Sequence, residues 1–528
     1  MSNTVQRTTS SWRNTAAVFV FILLHLALIT LAAFLARPDL NFRDRNPAQR
    51  QYEDWAIALE EGHLWLSEPV PESLLAMDNP YDYIARVIRG NESGDYYPGD
   101  VALYDGHYFV YFGCAPEYLF FYPFLRITGH TLPTWLAVLG CGLLAVPGAF
   151  LLARGLVRWL GNNPPAYPGQ DGLRLTMLFA AVFIAGSGLP YLVSLGGTYS
   201  MPSVLGLAAT FWGLAGWLGA AERMRGHGGQ GKITAAGGTH RGTVLSGRMN
   251  QTAGTAVLLA FSSLLLALNI GCRPQCALVC LLAFPVFREE IRDGRFFRFS
   301  REALVNTLCV VLPFAAVGVL VLRLNALRFS SPFEFGFHYL LTTADMLHHK
   351  TTARQIAVGA WMELLKPHHL DLRFPFLHGV EWNEALTEGI YIEPMLGGFF
   401  ALAPFALLGL IPWRIASSAA KSGSARNART LTVTSLFIGA VIALADVASA
   451  GISQRYESDF AVFFLLAAVL VFRQLHTEGI HKVLRAIGLV LAVITIAAAY
   501  LLLLSDGRYF SMKDYNPGAY EALLRVFG

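Results

Sequence analysis

Long runs of apolar residues recur along this chain, and they constrain its fold more than any other feature. Each run extends over roughly 18 to 22 residues, the length of helix that crosses the hydrocarbon core of a bilayer. Charged residues make up only 14% of the 528 residues, whereas a soluble domain has about 25%. These observations predict an all-α polytopic membrane protein rather than a string of soluble domains.

The runs predict eleven transmembrane helices. A twelfth would be counted if residues 108–129 crossed the membrane, but Pro116, Glu117, Pro123 and Arg126 interrupt that segment. We expect it to lie at the interface, because the basic short loops then all fall on one side. The predicted spans are residues 14–36, 132–153, 175–195, 201–221, 252–270, 274–287, 303–323, 394–413, 430–450, 458–473 and 484–504.

The basic short loops orient the predicted helices. Arg and Lys cluster on the cytoplasmic side of membrane proteins, so we expect a cytoplasmic N-terminus and a C-terminus on the opposite, outer face. This explains the net charge of +4 without a nucleic-acid surface. The Gly-rich segment 223–250 is predicted to be a flexible linker. The predicted units are residues 1–36 (N-terminus and first helix), 37–131 (first periplasmic loop), 132–323 (helices two to seven), 324–393 (second periplasmic loop), 394–504 (helices eight to eleven) and 505–528 (periplasmic tail).

The first large loop ends in an aromatic stretch, Tyr104–Pro123. Tyr and Phe concentrate where a membrane surface leaves one end of the ring in water. Asp105, His107 and Glu117 lie among these rings. Ionisable groups are scarce in the predicted helices, where an ion channel or carrier would place them. The two loops on the outer face are therefore the predicted site.

Chemistry on a lipid head group at this face needs a carboxylate as general base, cations for a phosphate, and aromatic surfaces for a sugar or lipid. Each carboxylate taken alone is more commonly a helix cap or a solvated loop residue. Arg273 lies at a turn, where it is either a membrane anchor or a phosphate ligand. The candidates are Asp44, Asp54, Asp82 and Asp105 for the base, Arg273, Arg328, Lys366, Arg373 and Arg455 for the phosphate, and Tyr108, Tyr111 and Phe335 for packing.

Metal ligands are not indicated, although a divalent ion is left open. The pairs His348-His349 and His368-His369 are adjacent in sequence, so their side chains point in different directions, and no Asp-x-Asp motif occurs in the first loop. Most of the six cysteines lie in apolar runs and predict no disulfide framework. We expect Asp446 and His25 to be packing residues.

Four segments carry a resemblance to a known family. They are Asn79-Pro-Tyr-Asp82, Tyr104–Gly113 with Pro116, Arg328–Gly336 and Gln454–Phe460. With the predicted layout, they resemble the GT-C superfamily of membrane glycosyltransferases, which includes protein O-mannosyltransferases and aminoarabinose transferases, and within it a poorly characterised bacterial group. The resemblance implies a location in the bacterial inner (cytoplasmic) membrane, with the outer face and the C-terminus in the periplasm. It also implies a polyprenyl-phosphate sugar as donor, an acid in the first loop as base, and in many members no metal.

The sequence departs from the family at the expected acid. That acid should precede the helix predicted over Gln51–Glu61, which ends at Gly62, but residues 46–49 are neutral. Asp44 and Asp54 lie on either side and are the two candidates. The hypothesis is hexosyl or pentosyl transfer to an envelope glycan, lipid or protein. The alternatives are a non-catalytic relative and a transporter or flippase for a lipid-linked sugar.

Overall fold

A computed structural model describes residues 2–35, 49–160, 170–233, 241–416, 423–475, 479–508 and 511–528. In this part of the chain the protein is almost entirely helical, and its four short strands form two antiparallel hairpins. The helices are α1 (Ser2–Leu35), α2 (Gln51–Glu60), α3 (Glu72–Leu75), α4 (Tyr83–Ser93), α5 (Tyr122–Thr128), α6 (Thr134–Trp159), α7 (Gln170–Gly186), α8 (Leu189–Leu195), α9 (Met201–Ile233), α10 (Arg241–Cys272), α11 (Ala283–Val286), α12 (Arg288–Arg292), α13 (Arg301–Phe329), α14 (Ala353–Leu365), α15 (Glu384–Thr387), α16 (Phe399–Leu402), α17 (Trp413–Ala416), α18 (Gly423–Ser449), α19 (Glu457–Gln474), α20 (Gly479–Leu501), α21 (Met512–Tyr515) and α22 (Pro517–Phe527). The strands are β1 (Ala102–Tyr104), β2 (His107–Phe109), β3 (His369–Leu370) and β4 (Leu377–His378).

The prediction of an all-α polytopic membrane protein is confirmed. Within the described residues, seven helices are long and apolar enough to cross a membrane, and the pair α7–α8, bent by 40°, makes an eighth. The seven are α1, α6, α9, α10, α13, α18 and α20.

Three of the eleven predicted spans do not form long apolar helices of this kind in the described residues. Residues 274–287 fold as a 3-10 helix, Pro274–Leu282, followed by the short α11. Residues 394–413 fold as α16 and a second 3-10 helix, Pro404–Leu410. Prolines interrupt the α-helical hydrogen bonding in both. The third, α19, has 18 residues, three of them charged, and is buried along its whole length.

The segment 108–129 does not form a spanning helix. It contains β2, a five-residue π-helix over Glu117–Phe121 and the seven-residue α5. This helical part is too short for a bilayer core, which needs about 20 residues. The predicted helix over Gln51–Glu61 is observed as α2, and the Gly62 that follows has φ +93°. Within the predicted linker 223–250, α9 continues to Ile233 and α10 begins at Arg241, so these parts are helical, while residues 234–240 lie outside the described residues.

The two large loops pack directly against each other. The backbone N–H of Asp100 donates to the carbonyl of Leu341 at 2.8 Å, and the N–H of Leu103 donates to the carbonyl of Tyr339 at 2.9 Å. In return, the N–H of Leu341 donates to the carbonyl of Val101 at 2.9 Å. The second loop thus adds backbone pairing beside the β1–β2 hairpin, and this holds the two loops in register.

Candidate active site between the two loops

A cavity of about 920 Å³ lies where the two loops meet the ends of α10, α18 and α19. Its walls include Asp100 and Tyr111 from the first loop, and Phe335 and Glu393 from the second. The turns that follow α10 and α18 contribute further polar residues. Those turns supply Arg273, Gln275, Arg455 and Tyr456.

Arg455 and Glu393 form a two-point ion pair in the wall of the cavity. Nη2 of Arg455 lies 2.6 Å from one carboxylate oxygen of Glu393, and Nε lies 3.1 Å from the other. Ser453 also donates its hydroxyl to Glu393 at 2.5 Å. Burial disfavours a charged guanidinium, but the Glu393 carboxylate outweighs this and raises the pKa of Arg455. Arg455 is therefore a permanent cation held in one orientation.

Arg273 is held by a second buried acid. Its Nε lies 3.4 Å from Oδ2 of Asp459, which is in the first turn of α19. The side chain of Gln275 donates to Oδ1 of Asp446 at 2.7 Å and to Oδ2 of Asp459 at 3.4 Å. Asp446 is thus part of this polar network, which agrees with its expected packing role.

The two arginines share one aromatic ring. The guanidinium of Arg273 lies 5.2 Å from the centre of the Tyr456 ring, and that of Arg455 lies 4.9 Å from it. Arg455 also lies 4.5 Å from the ring of Tyr199. Such stacking stabilises a cation and leaves the edges of the guanidinium for other partners. In the described part of the chain, Nη1 and Nη2 of Arg273 and Nη1 of Arg455 donate no hydrogen bond to protein.

Among the described residues of the first loop, Asp100 is the carboxylate that lines the cavity. Tyr199, in the turn before α9, donates its hydroxyl to Oδ2 of Asp100. The backbone at Asp100 has φ +56°, which is uncommon for a residue other than glycine. Its carbonyl accepts a hydrogen bond from the Gln51 side chain at 3.0 Å. Hydrogen bonds to the side chain and to the carbonyl of Asp100 thus hold its uncommon backbone conformation in place, as is common at functional sites.

Arg328 also lines the cavity, but its hydrogen-bond partners are a backbone carbonyl and an amide rather than a carboxylate. One Nη donates to the carbonyl of Val110 at 2.8 Å and the other to Oδ1 of Asn325 at 3.0 Å. The guanidinium also stacks on Trp55 at 5.3 Å. No carboxylate of the described residues forms an ion pair with it. Arg328 therefore links the end of α13 to the aromatic stretch and adds uncompensated positive charge.

The structure places five of the predicted site residues on the cavity wall. They are Arg273, Arg328, Arg455, Tyr111 and Phe335. Three predicted carboxylates lie elsewhere: Asp54 pairs with Arg50 at 3.7 Å, and Asp82 caps α4 by accepting from the N–H of Ala85. Asp105 is exposed at the turn of the β1–β2 hairpin, with φ +48°. Helix capping and turn geometry account for the last two.

Three other predicted residues also lie away from the cavity wall. Lys366 ends α14 and stacks on Trp361 at 5.3 Å. Tyr108 is fully buried in the core, where it packs rather than binds. Arg373 is exposed in the loop between β3 and β4. Asp44 lies outside the described residues.

Sequence reasoning missed four residues of this site. Asp100, Tyr199, Glu393 and Asp459 acquire their roles only through contacts with distant parts of the chain. A local signal existed for Tyr199, because the polar, glycine-containing segment Gly196–Ser200 separates two predicted spans. Asp459 lay inside the Gln454–Phe460 motif. For Asp100 and Glu393 we find no local signal. No group of three or more His, Cys, Asp or Glu in the described residues is arranged to hold a metal ion.

The apolar helices and the polar cavity define a multi-pass, all-α membrane protein. Two solved structures from Archaeoglobus fulgidus are similar to it: an oligosaccharyltransferase in the apo form (13% identity, TM-score 0.42) and the oligosaccharyltransferase AglB in complex with an inhibitory peptide and a dolichol-phosphate (14% identity, TM-score 0.43). The likeness covers 90% and 91% of this chain but only 55% of each of those chains. No family model matches the chain, and no curated protein matches it. At these identities and TM-scores, the likeness carries no argument about activity.

Proposed function

We propose that this chain is a membrane glycosyltransferase of the GT-C type, which transfers a sugar from a polyprenyl-phosphate donor to a hydroxyl of a cell-envelope acceptor. The observation that carries the proposal is a single cavity that is lined by Arg273 and Arg455, which both stack on Tyr456, and by the first-loop carboxylate of Asp100. The acceptor class and the bacterial inner-membrane location stay predictions. The chemistry of the cavity supports the donor class, as follows.

The arginine pair fits a phosphate. A phosphate diester needs hydrogen-bond donors arranged around its oxygens, and guanidinium edges supply them in a planar geometry. Arg273 lies in an ion pair with Asp459 and Arg455 is hydrogen-bonded to Glu393, and Nη1 and Nη2 of Arg273 and Nη1 of Arg455 remain without a hydrogen-bond acceptor among the described residues. When the bond between the sugar and the phosphate breaks, the lipid phosphate gains one negative charge. Cations held in place stabilise that charge without reorganising.

Asp100 fits the base. In the proposed step, an acceptor hydroxyl oxygen attacks the anomeric carbon and its proton moves to the carboxylate of Asp100. The bond from that carbon to the phosphate oxygen breaks, and the lipid phosphate leaves with the electron pair. Tyr199 holds one oxygen of Asp100 by donating to it, which leaves the other oxygen for the acceptor.

The test is turnover of a panel of polyprenyl-phosphate sugars by purified protein in lipid, with envelope extracts as acceptors. We expect one donor to be consumed by the wild-type chain, and Asp100→Asn to lose about 10² to 10⁴-fold in rate. Asp54→Asn is the matched control, because Asp54 does not line the cavity and pairs with Arg50. Equal rates for Asp100→Asn and wild type would remove Asp100 from the mechanism.

A non-catalytic carrier of a lipid-linked sugar is the second candidate. The observation that favours it is Gln49, a neutral amide of the cavity wall located where the family resemblance expects the acid. Its Nε2 is buried and has no hydrogen-bond partner among the described residues. Under this alternative, a donor binds with saturation and is not consumed, whichever acceptor is supplied.

A further inference from the structure

His369 and His378 face each other on the β3–β4 hairpin of the second loop. They occupy directly opposed positions in the antiparallel register, so their side chains project from the same face. Their ring centres are 5.5 Å apart. This pair was not visible as a pair in the sequence, where each histidine has different neighbours.

The two rings have no hydrogen bonds of their own. Nε2 of His378 is buried without a partner, and no ring nitrogen of His369 enters a hydrogen bond among the described residues. Other loop histidines differ: Nδ1 of His348 contacts Asp345 at 2.8 Å, and Nδ1 of His338 contacts Glu334 at 2.6 Å. No protein acceptor therefore fixes the tautomer of His369 or His378, and each ring is able to present a lone pair.

The hairpin is anchored so that the two rings stay close. At its tip, Phe374 is buried against Tyr520 of α22, with ring centres 5.0 Å apart. In β4, Leu377 is 1% exposed and packs with Leu396 and Leu502, and just beyond the open end of the hairpin the N–H of Val380 donates to the carbonyl of Met395 at 2.9 Å. Ligands carried on elements fixed at both ends need little reorganisation to bind an ion.

We propose that His369 and His378 bind a divalent transition-metal ion such as Zn²⁺. Zinc takes imidazole nitrogens at about 2.0–2.1 Å, so two ligand nitrogens must come within about 4 Å of each other. Rings 5.5 Å apart at their centres meet this condition when the ligand nitrogens turn inward. Because no group of three protein ligands is assembled in the described residues, water completes the coordination, and Asp371 in the connecting loop adds negative charge nearby.

The ion would order the part of the second loop that carries Glu393. Directly after β4, the N–H of Val380 donates to the carbonyl of Met395 at 2.9 Å. Met395 lies two residues beyond Glu393, whose own N–H donates to the carbonyl of Ile452 at 2.9 Å. A metal ion bound to the hairpin would therefore be connected to Glu393, the acid that positions Arg455, through this backbone hydrogen bond and a short stretch of chain. This inference does not depend on the proposed transferase activity.

The test is Zn²⁺ titration of chelator-treated protein, purified with a tag that contains no histidine, in competition with a chromogenic chelator. We expect one ion per chain, and a loss of about tenfold or more in affinity in both His369→Ala and His378→Ala. His338→Ala and His348→Ala are the controls, because both are exposed loop histidines beside a carboxylate. They should keep the wild-type affinity.

Two further readouts keep the test decisive. Co²⁺ absorption should show imidazole ligation in the wild type and lose it in both hairpin variants, while thermal unfolding without metal confirms that the variants are folded. Zn²⁺ should also slow amide exchange over residues 366–380 in the wild type only. Absence of stoichiometric binding, or binding that is lost in His348→Ala and kept in the hairpin variants, would overturn the proposal.

Discussion

Arg455 binds Glu393 across 62 residues of sequence through two nitrogens, at 2.6 and 3.1 Å. The side chains of Arg455 and Glu393 are only 8% and 13% exposed. Removing one partner of a buried pair leaves an uncompensated charge, whereas removing both does not. The pair is thus central to both the stability and the charge of the cavity.

Glu393→Gln should lower the free energy of unfolding by about 3 kcal/mol, because it leaves Arg455 without its counter-charge. In a separate double-mutant cycle, the double variant Glu393→Leu with Arg455→Met should cost less than the sum of Glu393→Leu alone and Arg455→Met alone. Unfolding in mixed micelles measures all four members of this cycle. A change below about 0.5 kcal/mol for Glu393→Gln would mean that water screens the pair.

Tyr199→Phe should separate positioning from binding. The phenyl ring keeps the stacking on Arg455, which lies 4.5 Å from the ring centre, but the hydroxyl that donates to Asp100 is gone. We expect kcat to fall by about tenfold to a hundredfold with the donor KM unchanged, because misplacement of a base costs rate rather than donor affinity. Tyr199→Leu, which loses the ring as well, should also raise the donor KM. Equal kinetics in Tyr199→Phe and wild type would show that this hydrogen bond does not position Asp100.

Gly113→Ala should disrupt the contact between the aromatic stretch and the turn after α10. A Cβ atom on Gly113 would lie 2.1 Å from the carbonyl oxygen of Cys272, which is backbone and cannot rotate away. Overpacking of this kind costs about 1–3 kcal/mol, measured as a lower unfolding free energy. Gly99→Ala is the matched control, since nothing lies within 4 Å of its Cβ position and it has no positive φ. Loss of stability in Gly99→Ala alone would contradict the packing argument.

Glu363 of α14 should make stability depend on pH. Burial raises its pKa well above the usual value of 4.5, and the nearby acids Glu457 and Asp446 raise it further. In the folded protein the carboxyl holds its proton above pH 4.5, whereas in the unfolded chain it releases it. This group therefore lowers stability progressively as pH rises from the unfolded pKa toward the folded one.

The neutral isostere Glu363→Gln tests this pH dependence. Its carbonyl oxygen is able to accept the hydrogen bond that the N–H of Ser453 donates to Glu363 at 3.3 Å. The variant should be more stable than wild type at neutral and alkaline pH, and the difference should vanish below about pH 4.5. Unfolding measured across that range checks the sign. A gain that persists at low pH would mean that the titration of Glu363 is not its cause.

The predictions that succeeded rest on short-range pattern. The helix over Gln51–Glu60 follows from local periodicity and Gly62. Arg273 and Arg455 became candidates because they interrupt apolar runs; both line the cavity, and their phosphate-binding role stays a prediction. Asp82 and Asp105, which were also predicted for the site, lie away from the cavity wall and serve local geometry, as a helix cap and in a hairpin turn.

The sequence by itself determined the membrane character, the all-α class and the two polar loops, because runs of apolar residues of bilayer length leave the backbone no other way to satisfy its hydrogen bonds. It also identified Arg273 and Arg455 as candidate cations of the site. Only the tertiary structure decided which of the described carboxylates line the cavity with them. Asp100 reaches Tyr199 across 99 residues, and Glu393 reaches Arg455 across 62. Such contacts depend on how the loops pair over the helix ends, and no local pattern encodes that pairing.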